Sequence, residues 1–87
     1  AVGAAVLTGS FPRSVALNAA ATRAYVASAV SNTLQAYDIS NPNAAPVAVG
    51  AAVPTGSAPF SVAVNAAGTR AYVVNSISNT LQAYDIS

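Results

Sequence analysis

The chain has 87 residues, three arginines, two aspartates and no lysine, glutamate, histidine, cysteine, methionine or tryptophan, so most of the side chains that carry acid–base, thiol or metal chemistry are missing. Its formal net charge of +1 supplies neither the basic stripe that nucleic acid requires nor a polybasic patch for an anionic membrane. With 54% apolar and 6% charged residues, against roughly 25% charged in an average soluble domain, its polar surface has to come from Ser, Thr, Asn and Gln.

The dominant feature is an internal repeat. Sliding the sequence by 47 residues aligns positions 1–40 with 48–87 without a gap, at 31 identities in 40 pairs. A fixed period of this length marks solenoids, propellers and arrays, in which one repeat cannot bury its own apolar surface and a stacked neighbour does so. The repetition fits a natural duplication and an engineered one alike. The longest charge-free stretch, between Asp38 and Arg70, is interrupted by Pro42, Pro46, Pro54 and Pro59, which excludes a membrane helix of about 20 residues there. The opening AVGAAVL lacks a basic n-region and recurs as AVGAAVP at 48–54, so it reads as a repeat element rather than a signal peptide.

In chain order, residues 1–7 and 48–54 predict an outer strand, with Val47, Val49, Ala51 and Val53 on one face of the second copy. The clusters TGSFPRS and TGSAPFS read as connections. Residues 14–18 (SVALN) and 61–65 (SVAVN) predict short strands, and Asn65 to Gly68 a type I turn whose Gly takes a positive φ. The first copy has Ala21 in place of that Gly, which predicts a strained or differently shaped turn costing about 1 kcal/mol. Residues 23–28 (RAYVAS) and 70–75 (RAYVVN) predict strands that return, through the turns AVSN and SISN, along residues 33–39 and 80–86 (TLQAYDI). SNPNAAP then closes the first period, its prolines excluding a helix. Each period thus carries four short strands, the last three of them able to form a meander.

Clean polar and apolar alternation, as in a sheet with one wet face, is absent. Ala71 and Val73 oppose Tyr72 and Val74, and Leu81 and Ala83 oppose Tyr84 and Ile86. Both faces of each sheet are expected to be dry, which a stack or ring of sheets satisfies; radial repetition of four-stranded sheets is the β-propeller.

AYVVNSISNTLQAYDIS at 71–87, preceded by SVAVNAAGTR, resembles the YVTN repeat of bacterial and archaeal β-propellers, whose core reads similarly to SVAVSPDGKRAYVAN-x-x-SNTVSVID. YDISNP at 37–42 is also similar to LVIVD-type propeller repeats. The resemblance spans essentially the whole chain in two copies. It departs from the pattern at Ser28, where the family's Asn is kept only as Asn75, and at Ala21, where the Gly is kept only as Gly68. It implies an all-β fold of two four-stranded antiparallel propeller blades per chain, with residues 14–18 or 61–65 innermost and AVGAAV outermost. It says nearly nothing about activity.

On that layout residues 8–53 hold a complete blade, residues 54–87 a three-stranded incomplete one, and residues 1–7 the outermost strand that completes the blade of a neighbouring chain. The edge at 80–86 is then capped by residues 1–6 of another copy, which makes a cyclic homo-oligomer with head-to-tail interfaces. A tetramer of eight blades is favoured over a trimer of six.

Few polar residues are candidates for a site. A four-residue turn at 76–79 sets Arg70 opposite Asp85, and likewise Arg23 opposite Asp38, as cross-strand ion pairs; the competing reading has the aspartates capping the turn at Ser40, Asn41 and Pro42. Phe11, Arg13, Asn32, Phe60 and Asn79 fall in the loops at which propellers bind ligands. The competing reading for the Asn pair is turn chemistry, and for the Phe pair wedge packing between blades. Arg13 has no acidic partner apparent in the sequence, and repeated around a ring it would attract an anion. The four tyrosines, Tyr25, Tyr37, Tyr72 and Tyr84, read as packing residues.

No catalytic residue, metal site or cofactor is expected: Ser and Thr hydroxyls without a base are inert. A lone carboxylate per repeat makes neither a general-base pair nor an oxygen cage. The expected function is a non-enzymatic, self-assembling propeller module; the alternative is a cell-surface or secreted propeller that binds carbohydrate or protein. The expected partner is the chain itself, without nucleic acid or membrane insertion, and the resemblance points a natural parent protein to the extracellular space or cell surface.

Overall fold

A computed structural model describes residues 3 and 5–86. Among them there are seven strands and no helix: β1 (Pro12–Leu17), β2 (Arg23–Ser28), β3 (Thr33–Asp38), β4 (Val47–Pro54), β5 (Pro59–Val64), β6 (Arg70–Asn75) and β7 (Thr80–Asp85). They form a four-stranded sheet in the order β1-β2-β3-β4 and a three-stranded sheet in the order β5-β6-β7, antiparallel throughout. β5 packs against β1 and β2. No helix in the described chain is long and apolar enough to cross a membrane.

Both sheets are meanders because each pair of apolar runs is separated by a turn whose chemistry dictates it. Asn18 and Asn65 open equivalent turns. Their backbone oxygens accept the N–H of Ala21 and Gly68 at 3.0 Å in both cases. Their side-chain oxygens accept from the next two residues, Thr22 and Arg23 at 2.8 and 3.0 Å, and Thr69 and Arg70 at 2.9 and 3.0 Å. The turn that carries Ala21 therefore has the shape of its Gly68 counterpart. Ala21 simply takes φ 57° where Gly68 takes 69°. Of the two outcomes expected for this residue, strain is realised and a change of shape is not.

β1 and β5 start earlier than the alternation predicts, at Pro12 and Pro59. Arg13 and Phe60 are each skipped in the pairing, so that Pro12 faces Ser28 and Ser14 faces Ala27, and Pro59 faces Asn75 and Ser61 faces Val74. These are bulges, where one extra residue bends the strand and frees its side chain from the ladder. β4 has a wider irregularity: Leu34 faces Val53 and Ala36 faces Val49, leaving Gly50 to Ala52 opposite Gln35 alone. Gly50 makes the detour at φ 67°, and the Gln35 side-chain amide donates to the freed carbonyls of Val49 and Gly50 at 3.2 and 3.3 Å.

Of the outer strand expected at 1–7, residues 1, 2 and 4 lie outside the described residues, and residues 5–7 are not in a strand in the single chain.

The core lies between the sheets. Tyr25, Ala27 and Leu34 from the first sheet meet Val62, Ala71 and Val73 from the second, with Ala16, Ala36, Val64, Tyr84 and Ile86 packed around them. Ala27, Ala71 and Val73 are fully buried, and small residues at these positions let the sheets approach closely.

Candidate functional site

The contact between the sheets uses opposite faces of the two repeats. The first sheet presents Tyr25, Ala27 and Leu34. In the second sheet the same positions are Tyr72, Val74 and Leu81, on the face turned away from the first. The second sheet presents Val62, Ala71 and Val73, whose counterparts on the other face of the first are Val15, which is exposed, Val26, which is half-buried, and Ala24, which is buried. Exposure follows position rather than residue type. Leu34 is 4% exposed and Leu81 67%, Tyr25 6% and Tyr72 39%, Val62 5% and Val15 61%. The described chain thus ends in two open apolar sides, each matching one half of the contact at its centre.

Polar groups fasten that central contact. Asn32, in the β2–β3 turn, is left-handed at φ 55°. Its backbone oxygen accepts from Thr55 N–H at 2.9 Å and its side-chain oxygen from Ala58 N–H at 2.8 Å, which ties the first sheet to the segment leading into β5. Ser14 Oγ accepts from Val62 N–H at 3.4 Å. The Arg13 guanidinium lies 4.8 Å above the centre of the Phe60 ring, so the two bulged residues at the start of β1 and β5 meet as a cation–π pair.

The five loop residues expected as ligand candidates therefore divide. Asn32, Arg13 and Phe60 are brought together with the other sheet and engaged there. Phe11 is exposed at φ 57°, and Asn79 is exposed at φ 59°; the fold does not bring them together within one chain. The Asn32 side-chain oxygen accepts a backbone N–H within the chain, in keeping with the turn role also read from the sequence. Phe60 is 50% exposed and meets Arg13 of the other sheet, and Phe11 is 67% exposed, so neither is a buried wedge between the sheets.

The cross-strand pairs are in the expected register, with Arg23 opposite Asp38 and Arg70 opposite Asp85. The ion pairs measure 3.5 and 3.3 Å. Asp38 also fills the competing role, accepting from the Ser40 hydroxyl at 2.6 Å and the Ser40 N–H at 2.9 Å. The Ser40 hydroxyl and then the Ser40 N–H hold the Asp38 carboxyl below the ordinary carboxylate value, against an opposing effect of burial that outweighs the small additional lowering by the Arg23 charge. Burial pushes the Tyr37 and Tyr84 phenols up; Tyr37 donates to Leu7 O at 2.9 Å.

Sequence reading passed over the glutamines. The second-sheet Gln82 has no β4 counterpart beside it, and its Oε1 instead accepts from Gly56 N–H at 3.2 Å and from Asn75 Nδ2 at 3.1 Å. Asn75 is fully buried, and its Oδ1 meets no donor among the described residues. The recurrence of TLQ in both copies was the available signal. A recess of about 160 Å3 opens beside β4, lined by Leu34, Ala36, Val49, Val53, Tyr84 and Ile86 among others; it is apolar except at Asp85 and the tyrosines. No group of three or more His, Cys, Asp or Glu side chains that could hold a metal occurs among the described residues.

Among solved structures, the chain is similar to Kuenenia stuttgartiensis hydrazine synthase, at TM-score 0.75 and 18% identity over 87% of this chain and 28% of that one. It is also similar to a functionally unknown protein from Desulfotomaculum acetoxidans DSM 771, at TM-score 0.68 and 21% identity over 85% of this chain and 26% of that one. The chain spans about a quarter of the length of either, and at these identities the likeness is one of fold. No protein-family model matches the sequence, and no match among curated proteins was found.

Proposed function

We propose that this chain is a non-enzymatic pair of β-propeller blades of the YVTN type whose activity is self-assembly: copies join head to tail into a closed ring that serves as a structural or interaction scaffold. The observation that carries this reading is the mismatch in burial between identical residues. Tyr72 and Leu81 are exposed where Tyr25 and Leu34 are buried, and Val15 is exposed where Val62 is buried. A second copy placed as the second sheet sits on the first covers one open side of each chain through a heterologous interface, and closure of the ring covers the remaining pair. Apolar area removed from water at about 25 cal/mol per Å2 drives the association.

Strand exchange completes the proposal. Residues 1–6 are identical to 48–53, and 48–53 already occupy the β3 edge. Translating the β3–β4 register by one repeat sets Leu7 opposite Thr80 and Val6 opposite Leu81 of a neighbour. Gly3 holds φ 68°, against 67° at Gly50, so the backbone at the bulge position already has its bulge conformation, and Gln82 takes the capping role of Gln35. Eight blades from four chains are favoured over six from three.

Light scattering on the 87-residue chain tests this directly, with four times the protomer mass expected and a monomer at all concentrations overturning it. Deleting residues 1–7 is expected to reduce the assembly to monomers and loose oligomers.

A second reading, ligand binding at the mouth of the ring, is favoured by Arg13. Its guanidinium stacks on Phe60 and has no carboxylate within ion-pair distance among the described residues. Binding of a multivalent oxyanion that disappears in Arg13→Gln tests it.

A further inference from the structure

Asn32 and Asn79 are the same residue of the repeat, in turns of the same shape, and only the first has found its partner. The partner of Asn32 is the segment Thr55 to Pro59, which donates two backbone N–H groups to it. The matching segment at the head of the chain, Thr8 to Pro12, is built the same way without any neighbour. Thr8 and Thr55 each donate their hydroxyl to the next carbonyl oxygen at 2.9 Å. Ser10 and Ser57 N–H donate to the Ser31 and Ser78 hydroxyls at 2.6 and 2.7 Å. Phe11 O and Ala58 O accept from Ala29 and Ser76 N–H at 2.8 and 2.9 Å. Phe11 and Ala58, neither of them glycine, are held at φ 57° and 56°, a conformation that costs a non-glycine residue free energy and persists only where the surroundings enforce it. Among the described residues no acceptor meets Phe11 N–H and no donor meets the Asn79 side-chain oxygen.

We infer that Asn32 and Asn79 are the latch between consecutive blades, Asn32 within the chain and Asn79 between chains, with Asn79 Oδ1 accepting from Phe11 N–H and Asn79 O from Thr8 N–H of the next copy. The inter-chain half rests on the assembly reading above; the intra-chain half does not. The latch selects its partner by backbone shape. Its two acceptors fit only a segment whose donor lies at a left-handed residue three positions after the first donor, and the chain offers this segment at its own head. Apolar contact supplies attraction without direction, whereas a pair of hydrogen bonds to a preformed loop fixes register and excludes slipped dockings.

The test uses Asn79→Gly, which keeps the left-handed backbone and the carbonyl but removes the side-chain oxygen, beside Asn79→Asp, which keeps an oxygen acceptor there. An unsatisfied Phe11 N–H in the interface is expected to weaken association of the 87-residue chain about tenfold or more per interface in Asn79→Gly. Asn79→Asp is expected to retain most of the affinity. Hydrogen exchange of the Phe11 amide gives a readout specific to the latch: protected in the wild-type assembly, unprotected in Asn79→Gly. If the wild type assembles and Asn79→Gly matches it in both affinity and Phe11 protection, the latch is overturned while the assembly reading stands. If the wild type stays monomeric at all concentrations, the assembly reading and the inter-chain half fall together. The intra-chain half is then decided by Asn32→Gly, expected to lower the urea midpoint and to expose the Ala58 amide to exchange; an unchanged midpoint and a still-protected Ala58 overturn it.

Discussion

The two sheets are nearly the same sequence in two environments, and comparing them separates what a residue is from what its position makes of it. The first sheet has a second packed on its Tyr25 and Leu34 face and carries a fourth strand. The second has the same residues, Tyr72 and Leu81, facing outward, and an edge strand β7 with no fourth strand beside it among the described residues. Hydrophobicity therefore does not decide burial here. Placement of the neighbouring repeat does, and an open copy of a closed contact states what would close it.

Substituting equivalent residues sharpens that difference. Leu34→Ala empties a packed position and is expected to destabilise the chain by about 2–5 kcal/mol, enough to unfold a molecule with little stability to spare. Leu81→Ala is expected to change the unfolding free energy of the dilute chain by less than about 0.5 kcal/mol and, on the assembly proposed above, to weaken association. Equal losses from both would mean that the second sheet is already covered in the monomer, and would break the comparison.

A smaller effect is expected at the hairpin turns. Ala21→Gly relieves a positive φ and should stabilise by about 1 kcal/mol, raising the melting temperature by roughly 4–8 °C. Gly68→Ala should lower it by a similar amount. An unchanged melting temperature for both would show that the surrounding turn absorbs the strain.

The smallest effect concerns acid. Asp38 has its folded-state carboxyl lowered, so its contribution is present above the ordinary aspartate range and is lost as pH falls through the folded value, in the window below about pH 4. Ser40→Ala removes the hydroxyl that lowers this carboxyl most and should flatten the acid limb of the stability curve. Arg23→Gln should alter it less, because exposed ion pairs are screened by water and salt. If Arg23→Gln flattens it more, the charge and not the hydroxyl governs this carboxylate.

Much of the fold was legible as letters. The turn residues at 18–21 and 65–68 and the four-residue turn at 76–79 set the hairpins, and the hairpins set Arg23 against Asp38 and Arg70 against Asp85. The repeat also led to the expectation that both faces of each sheet are dry, whereas in the single chain apolar residues on one face of each sheet stay exposed. Less of the site was legible. Asn32 and Asn79 read as turn residues, which they are, but the acceptor role of Asn32 toward Ala58 depends on a segment 26 residues away. Arg13 and Phe60 are different residues at the same repeat position, and nothing in their letters says that the two bulges lie side by side.

By itself, then, the sequence determined the seven observed strands to within a few residues, their turns, and the register of the β2–β3 and β6–β7 hairpins, because these follow from local backbone preference and from the period of the apolar residues. Only the tertiary structure decided which copy of each repeated residue is buried, which Asn has its partners, and where the bulges put Arg13, Phe60 and Gln35. Those outcomes depend on how one sheet sits on the next, and a 47-residue repeat writes the same letters on both sides of that contact.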